Sequence, residues 1–171
     1  NCDEIKKAIN GNLPDYCRIN KIEMVDALFH SRYDAKRRFY KYQCYTGESI
    51  LYRNQAWMLK KLDIEYLNKL SKIILGENDF LSFSKYGGKI NTKCTVFDCK
   101  WRSEDPMITF YVEANRYLHH MIRYLVGTLV AVYQKNITED NFLKLLENPR
   151  KNVKIYKAPP QGLILEKIKY G

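Results

Sequence analysis

Arg123 carries the sharpest chemical demand in this sequence. It lies in a stretch where Leu118, Met121, Ile122, Leu125, Val126, Leu129, Val130 and Val132 leave almost no polar side. A guanidinium cannot shed its proton, so in an apolar setting it needs a carboxylate or phosphate within reach. Three arrangements satisfy that need: an ion pair with Glu113 or another acid of this chain, a side chain reaching past the helix edge to water, or an anionic group at a functional site. Read on the same helix, His119 precedes Arg123 by four residues and shares its face. His119 and His120 then point to different sides, so the pair does not offer a two-histidine zinc site. Packing or hydrogen bonding is the reading that fits them, and a metal-assisted hydrolase built on them is the weakest rival. Tyr40 lies in Arg37-Arg38-Phe39-Tyr40-Lys41-Tyr42, where cations alternate with aromatics. It reads either as a core aromatic of a strand or as a platform for an unstacked base. Asp79, in Asn78-Asp79-Phe80, is placed to cap backbone donors in an Asx turn. Cys94 and Cys99 have no second cysteine pair to complete a zinc site. Glycine-rich phosphate loops and nucleophile elbows are missing, so the sequence does not contain a complete active site.

These side chains need elements to hold them. A helix is expected over residues 3–10, ended by Gly11, then a turn at Leu13-Pro14-Asp15 and a strand over 18–25. Residues 29–45 favour a strand with Arg38, Tyr40, Tyr42 and Cys44 on one face and Phe39, Lys41 and Gln43 on the other. Asp63 caps a helix that Gly76 stops, and residues 76–83 read as a loop. Alternation predicts strands over 94–101 and 108–114, paired as a hairpin across Ser103-Glu104-Asp105-Pro106. A helix over 117–133, a second one capped by Thr138, and a last strand over 162–170 complete the chain. The irregular order implies an α+β fold, with a largely antiparallel sheet and helices packed on one face.

The chain has 171 residues, 46% hydrophobic and 13% aromatic, enough for one sizeable core without metal or disulfide support. Twenty-nine Lys and Arg against 19 Asp and Glu give a net charge of +10, which favours a polyanionic partner, nucleic acid first. A generically basic soluble protein is the other reading of that charge. Five scattered cysteines argue against a disulfide framework and for a reducing compartment, the cytoplasm being the simplest. No apolar run approaches a membrane span. The start at Asn1, without an initiator Met or signal pattern, suggests a fragment.

Four ordered segments together resemble one family, the TruA-type tRNA pseudouridine synthases. Residues 29–42, beginning Phe29-His30-Ser31-Arg32-Tyr33 and ending Tyr40-Lys41-Tyr42, are similar to its Phe-His-Ala-Arg-Phe and Arg-Tyr-x-Tyr strand. Gly76-Glu77-Asn78-Asp79-Phe80-Leu81-Ser82-Phe83 resembles its Gly-x-x-Asp-Phe-x-Ser-Phe loop. Residues 114–127, with Ala114-Asn115-Arg116-Tyr117-Leu118-His119-His120-Met121-Ile122-Arg123, match its most specific stretch, and Ala158-Pro159-Pro160-Gln161-Gly162-Leu163-Ile164-Leu165 matches its C-terminal strand. Phe39 and Tyr124 depart from the family's usual basic residue and Asn. The resemblance implies the pseudouridine-synthase fold and conversion of uridine to pseudouridine in the anticodon stem-loop of tRNA, without metal or organic cofactor. It implies an aspartate nucleophile in a Gly-Arg-Thr-Asp-Ala-Gly-Val-His segment upstream of Leu13-Pro14, which this sequence lacks, so the chain alone is expected to be inactive. It further implies that Arg123 pairs with that aspartate, that Tyr40 stacks on the flipped uracil and that Leu163 contributes to the pocket wall. Such roles suit a base-acting enzyme, which must extrude the base, replace its stacking and exclude water. The resemblance also implies that residues 1–27 are the tail of the N-terminal catalytic domain and residues 28–171 the C-terminal domain, that the active-site cleft lies between them, and that the protein is a homodimer. A non-catalytic basic RNA-binding module is the alternative.

Overall fold

The computed structural model describes residues 1–85 and 91–171. They divide into two compact units, Asn1–Asp34 and Ala35–Gly171. In the first, α1 (Cys2–Asn12) begins at Asn1, whose side chain accepts from the Asp3 amide at 3.1 Å, and it runs through Gly11. The strand expected over 18–25 does not form. A strand needs a partner for its backbone groups, and here the local groups bond elsewhere. The Asn10 side chain takes both the amide and the carbonyl of Ile19, at 2.8 and 2.9 Å. The expected strand start at Phe29 is corrected as well. His30 Nδ1 accepts from the Arg32 and Tyr33 amides, and the Asp34 carboxylate accepts from the His30 amide at 2.7 Å, which closes a turn up to residue 34.

The second unit holds β1 (Ala35–Thr46), β2 (Trp57–Leu59), α2 (Ile64–Ser71), β3 (Gly76–Asp79), β4 (Lys93–Glu104), β5 (Met107–Ala114), α3 (Met121–Tyr133), α4 (Glu139–Glu147) and β6 (Leu163–Tyr170). The described strands form one sheet in the order β2-β1-β5-β4-β3, with β6 also on β1. Only the short β1–β2 pairing is parallel. The α+β class and the mostly antiparallel sheet are as expected. Period-2 alternation sorts the faces. Tyr42 and Cys44 of β1 stand opposite Phe110 and Ile108 of β5, all buried in one core with Leu125, Val126 and Leu129 of α3 and Phe142 of α4.

Two elements differ from expectation. β3 forms where a loop was expected, because residues 76–79 find backbone partners on β4 despite their poor strand propensity. α3 starts at Met121 rather than 117, because His120 takes a left-handed φ of 65°. The shared helix face of His119 and Arg123 is therefore lost.

Side-chain hydrogen bonds fasten α2 to a stretch of β4 beyond its pairing with β3. Asn68 accepts from the Trp101 amide at 2.8 Å and donates to its carbonyl at 3.0 Å, as a neighbouring strand would. The Trp101 indole donates to Ser71 Oγ at 2.9 Å beside it. Asn68→Ala leaves two backbone groups of a buried residue unpartnered, and we expect it to lower stability by about 2 kcal/mol, read as a shift in the urea midpoint at unchanged slope.

The other sheet face carries matched charges. Arg37 pairs with Glu113 at 2.6 Å, Lys41 with Glu166 at 3.4 Å and Lys100 with Asp98 at 3.9 Å. Arg37 also lies over the Phe97 ring at 4.4 Å. These exposed pairs add little to stability, but they fix where Asp98, Glu113 and Glu166 sit.

Candidate active site

Arg123, three residues into α3, is half-buried rather than enclosed. Its Nε donates to the Ala158 carbonyl at 2.8 Å, and the Ala158 amide donates back to the Arg123 carbonyl at 2.9 Å. A strap of chain thus lies along the helix. The close approach depends on Gly127: a Cβ there would stand 2.5 Å from the Tyr156 carbonyl oxygen and 2.6 Å from the Ala158 nitrogen. The strap continues to Pro159, whose carbonyl accepts from the Tyr42 hydroxyl at 2.7 Å, and to Gly162, where a Cβ would meet Gln43 and the Tyr42 ring. Two glycines let one segment bridge α3 and β1.

The ion pair with Glu113 is not made, since Glu113 is taken by Arg37. No carboxylate among the described residues pairs with Arg123. No buried side-chain nitrogen among them lacks a partner, so the outer guanidinium nitrogens face water. Arg123 therefore keeps one nitrogen tied to the protein and presents an open fork suited to bidentate binding of a carboxylate or phosphate. Its positive charge is also felt at Tyr42. Burial pushes the Tyr42 phenol above its ordinary value, the Cys44 thiol adds to this, and Arg123 opposes it. Tyr42 thus stays a neutral donor that holds the strap.

Tyr40 follows the same alternation two residues back along β1. It is half-buried, edge-on to Tyr117 with ring centroids 5.1 Å apart and an 80° interplanar angle. Tyr117 is itself fixed by donating to the Val112 carbonyl at 3.0 Å, and burial raises its phenol above the usual range. The Tyr40 ring is therefore braced from one side by a rigid neighbour. Leu163, half-buried against the core, stands opposite Tyr42 across the β1–β6 ladder, and Leu165 stands opposite Tyr40 with 47% of its surface exposed. The structure thus places Tyr40 and Leu163 on adjacent strands and links both to Arg123 through Tyr42 and the strap. Leu165 is an apolar neighbour that sequence reasoning missed. Its i, i+2 spacing from Leu163 on a strand was the available signal.

His119 and His120 lie just before α3 with their rings stacked at 4.0 Å. Burial lowers the pKa of His120 below 6.5, and His119, Lys157, Arg123 and Lys85 lower it further. No group of three or more His, Cys, Asp or Glu side chains among the described residues is placed to hold a metal. Asp79 caps the Leu81 amide at 2.9 Å, and the Asn115 side chain accepts from the Thr95 amide at 2.9 Å. Both are structural uses of motif residues. Burial pushes the thiols of Cys44 and Cys99 up to about 12 and that of Cys94 up to about 11, so none is an activated nucleophile.

A family profile described as tRNA pseudouridine synthase matches residues 70–171. The chain belongs to the tRNA pseudouridine synthases, a family of isomerases. It is 33% identical over 172 residues to the tRNA pseudouridine synthase A of Dictyoglomus thermophilum, covering 99% of this chain and 70% of that protein. The enzyme of the same name from Chlorobium limicola is 33% identical over 165 residues, covering 95% of this chain and 68% of the relative. That of Thermoanaerobacter sp. strain X514 is 34% identical over 172 residues, covering 98% and 70%.

Proposed function

We propose that this chain completes the active site of a tRNA pseudouridine synthase that acts on uridines of the anticodon stem-loop, and that the nucleophilic aspartate comes from a segment outside this sequence. The observation that carries this reading is the open Arg123 fork, held by the Ala158 carbonyl and without a carboxylate partner among the described residues. In this reading the aspartate occupies the fork, which keeps it ionised and aimed at the sugar. Tyr40 stacks on the extruded uracil, and Leu163 walls the pocket against water. The reaction breaks the bond from C1′ to N1 of uracil and forms one from C1′ to C5, while C5 loses a proton and N1 gains one. Every atom of uridine is retained, so no redox or group-transfer cofactor is required.

Residues 1–27 are assigned to the tail of the catalytic N-terminal domain and residues 28–171 to the C-terminal domain. A homodimer, with the RNA crossing both subunits in the cytoplasm, is part of the same reading. Pseudouridine formation on tRNA tests it. The protein carrying the upstream aspartate segment is expected to convert uridine, and this chain alone is expected to bind tRNA without turnover. Turnover by this chain alone would overturn the assignment of the nucleophile. Binding without turnover by the extended protein would leave a non-catalytic RNA-binding module.

A further inference from the structure

Two clefts that neither Tyr40 nor Leu163 lines share a wall. The first, about 500 Å³, carries Lys144 and Asn141 of α4 together with Arg150, Lys151, Asn152 and Lys154 of the segment that follows. The second, about 390 Å³, shares Lys151 and Asn152 and adds Lys85 and Tyr124. The four cations of the first cleft are exposed, yet their backbone is held: the Arg150 amide donates to Ser82 Oγ at 3.1 Å, and Val153 and Ile155 pack on the core. From the second cleft the cations continue to the site. The Lys85 amide donates to the His119 carbonyl at 3.1 Å, Lys157 lies 5.8 Å from the centre of the Tyr124 ring, and Tyr124 is next to Arg123. Among the described residues, no carboxylate lines either cleft. A third, smaller hollow of about 180 Å³ toward the opposite sheet face, which Tyr40 also lines, has Asp98, Glu113 and Glu166 around Phe39 and Tyr111. There Arg37, Lys41 and Lys100 are each paired with one of these acids. The two adjoining clefts thus hold cations with no carboxylate in their described lining, unlike this hollow.

We propose that this run, from Lys144, Arg150, Lys151 and Lys154 over Lys85 to His120 and Arg123, is a track for the phosphate backbone of RNA that leads a strand to the base pocket. The identity of the polyanion rests on the synthase reading. Cations gathered in two adjoining clefts whose linings hold no carboxylate suit a chain of phosphates, each contact releasing a counterion. The amides of Asn141 and Asn152 supply hydrogen-bond donors that position a backbone without reading its sequence. At the end of the run, burial and then the neighbouring His119, Lys157, Arg123 and Lys85 lower the pKa of His120, and an arriving phosphate would oppose that lowering.

Binding of tRNA over a series of salt concentrations tests the track. The K144Q/R150Q/K151Q/K154Q variant is expected to bind at least about tenfold more weakly near physiological salt, with a log–log salt slope shallower by about 3. The K41Q/K100Q/R102Q/K167Q variant loses the same charge from the opposite face and is expected to keep nearly wild-type affinity. By NMR, His120, facing His119, Lys157, Arg123 and Lys85, is expected to titrate below 6.5 in the free protein and higher with tRNA bound. Equal weakening by both variants, or an unmoved His120, would overturn the track while leaving the synthase reading intact. Failure of the wild-type chain to bind tRNA at all, with binding instead to vesicles of phosphatidylserine, would overturn the track and the tRNA reading together.

Discussion

Arg123→Ala, made in the protein that carries the aspartate segment, is expected to lower pseudouridine formation by roughly 10²–10³-fold while tRNA affinity changes by only a few-fold. A hydrogen-bonded charge pair at a reacting centre is worth about 3–4 kcal/mol when one member is removed, whereas a fork filled by the aspartate adds little to an RNA affinity carried by many phosphate contacts. Arg123→Lys separates a general positive charge from a planar fork. The ammonium keeps the charge but cannot hold both Ala158 and a bidentate carboxylate, so it should recover only part of the loss. Single-turnover rates with saturating enzyme read this directly. Full activity in the alanine variant would remove Arg123 from the site.

Gly127→Ala is expected to damage both the fold and the site, although it adds a single methyl group. The new Cβ would meet the Tyr156 carbonyl oxygen at 2.5 Å and the Ala158 nitrogen at 2.6 Å, with Tyr156 carbonyl carbon at 2.8 Å. These are backbone atoms and cannot rotate away, so the strap or the helix must shift. We expect a loss of about 3 kcal/mol, at the upper end of ordinary overpacking, and more than alanine's better helix propensity returns. The acceptor for Arg123 Nε lies on that strap, so turnover in the extended protein should fall more than the folded fraction does. Unfolding curves and active-site-normalised rates on the same samples check it. Gly11→Ala is the contrast, because a Cβ there meets nothing within 4 Å.

The parts legible in the sequence were those in which local and tertiary preferences agree. Ile108, Phe110, Val112 and Ala114 alternate cleanly, and β5 lies at the sheet centre, between β1 and β4, with those residues buried. Thr138 caps α4 as read, its side chain accepting from the Asn141 amide at 3.2 Å. Residues 18–25 had the propensity but no partner, and Gly76-Glu77-Asn78-Asp79 had the partner but no propensity. In both cases the partner decided. Arg123 was visible as a cation in an apolar run, but its acceptor was not. A carbonyl 35 positions away is chosen by how closely two segments can approach. The trace of that approach in the sequence is Gly127, a glycine in the middle of a helix that it weakens.

The ion pairs on the charged sheet face have an effect beyond that surface. They hold Asp98, Glu113 and Glu166 against Lys100, Arg37 and Lys41, outside the linings of the two cation-lined clefts. If the proposed track holds RNA, a tRNA approaching by diffusion would meet a torque as well as an attraction, turning the cleft side toward the ligand before the two touch. The orientation of first encounter is thus set by where the acids are kept as much as by where the lysines are.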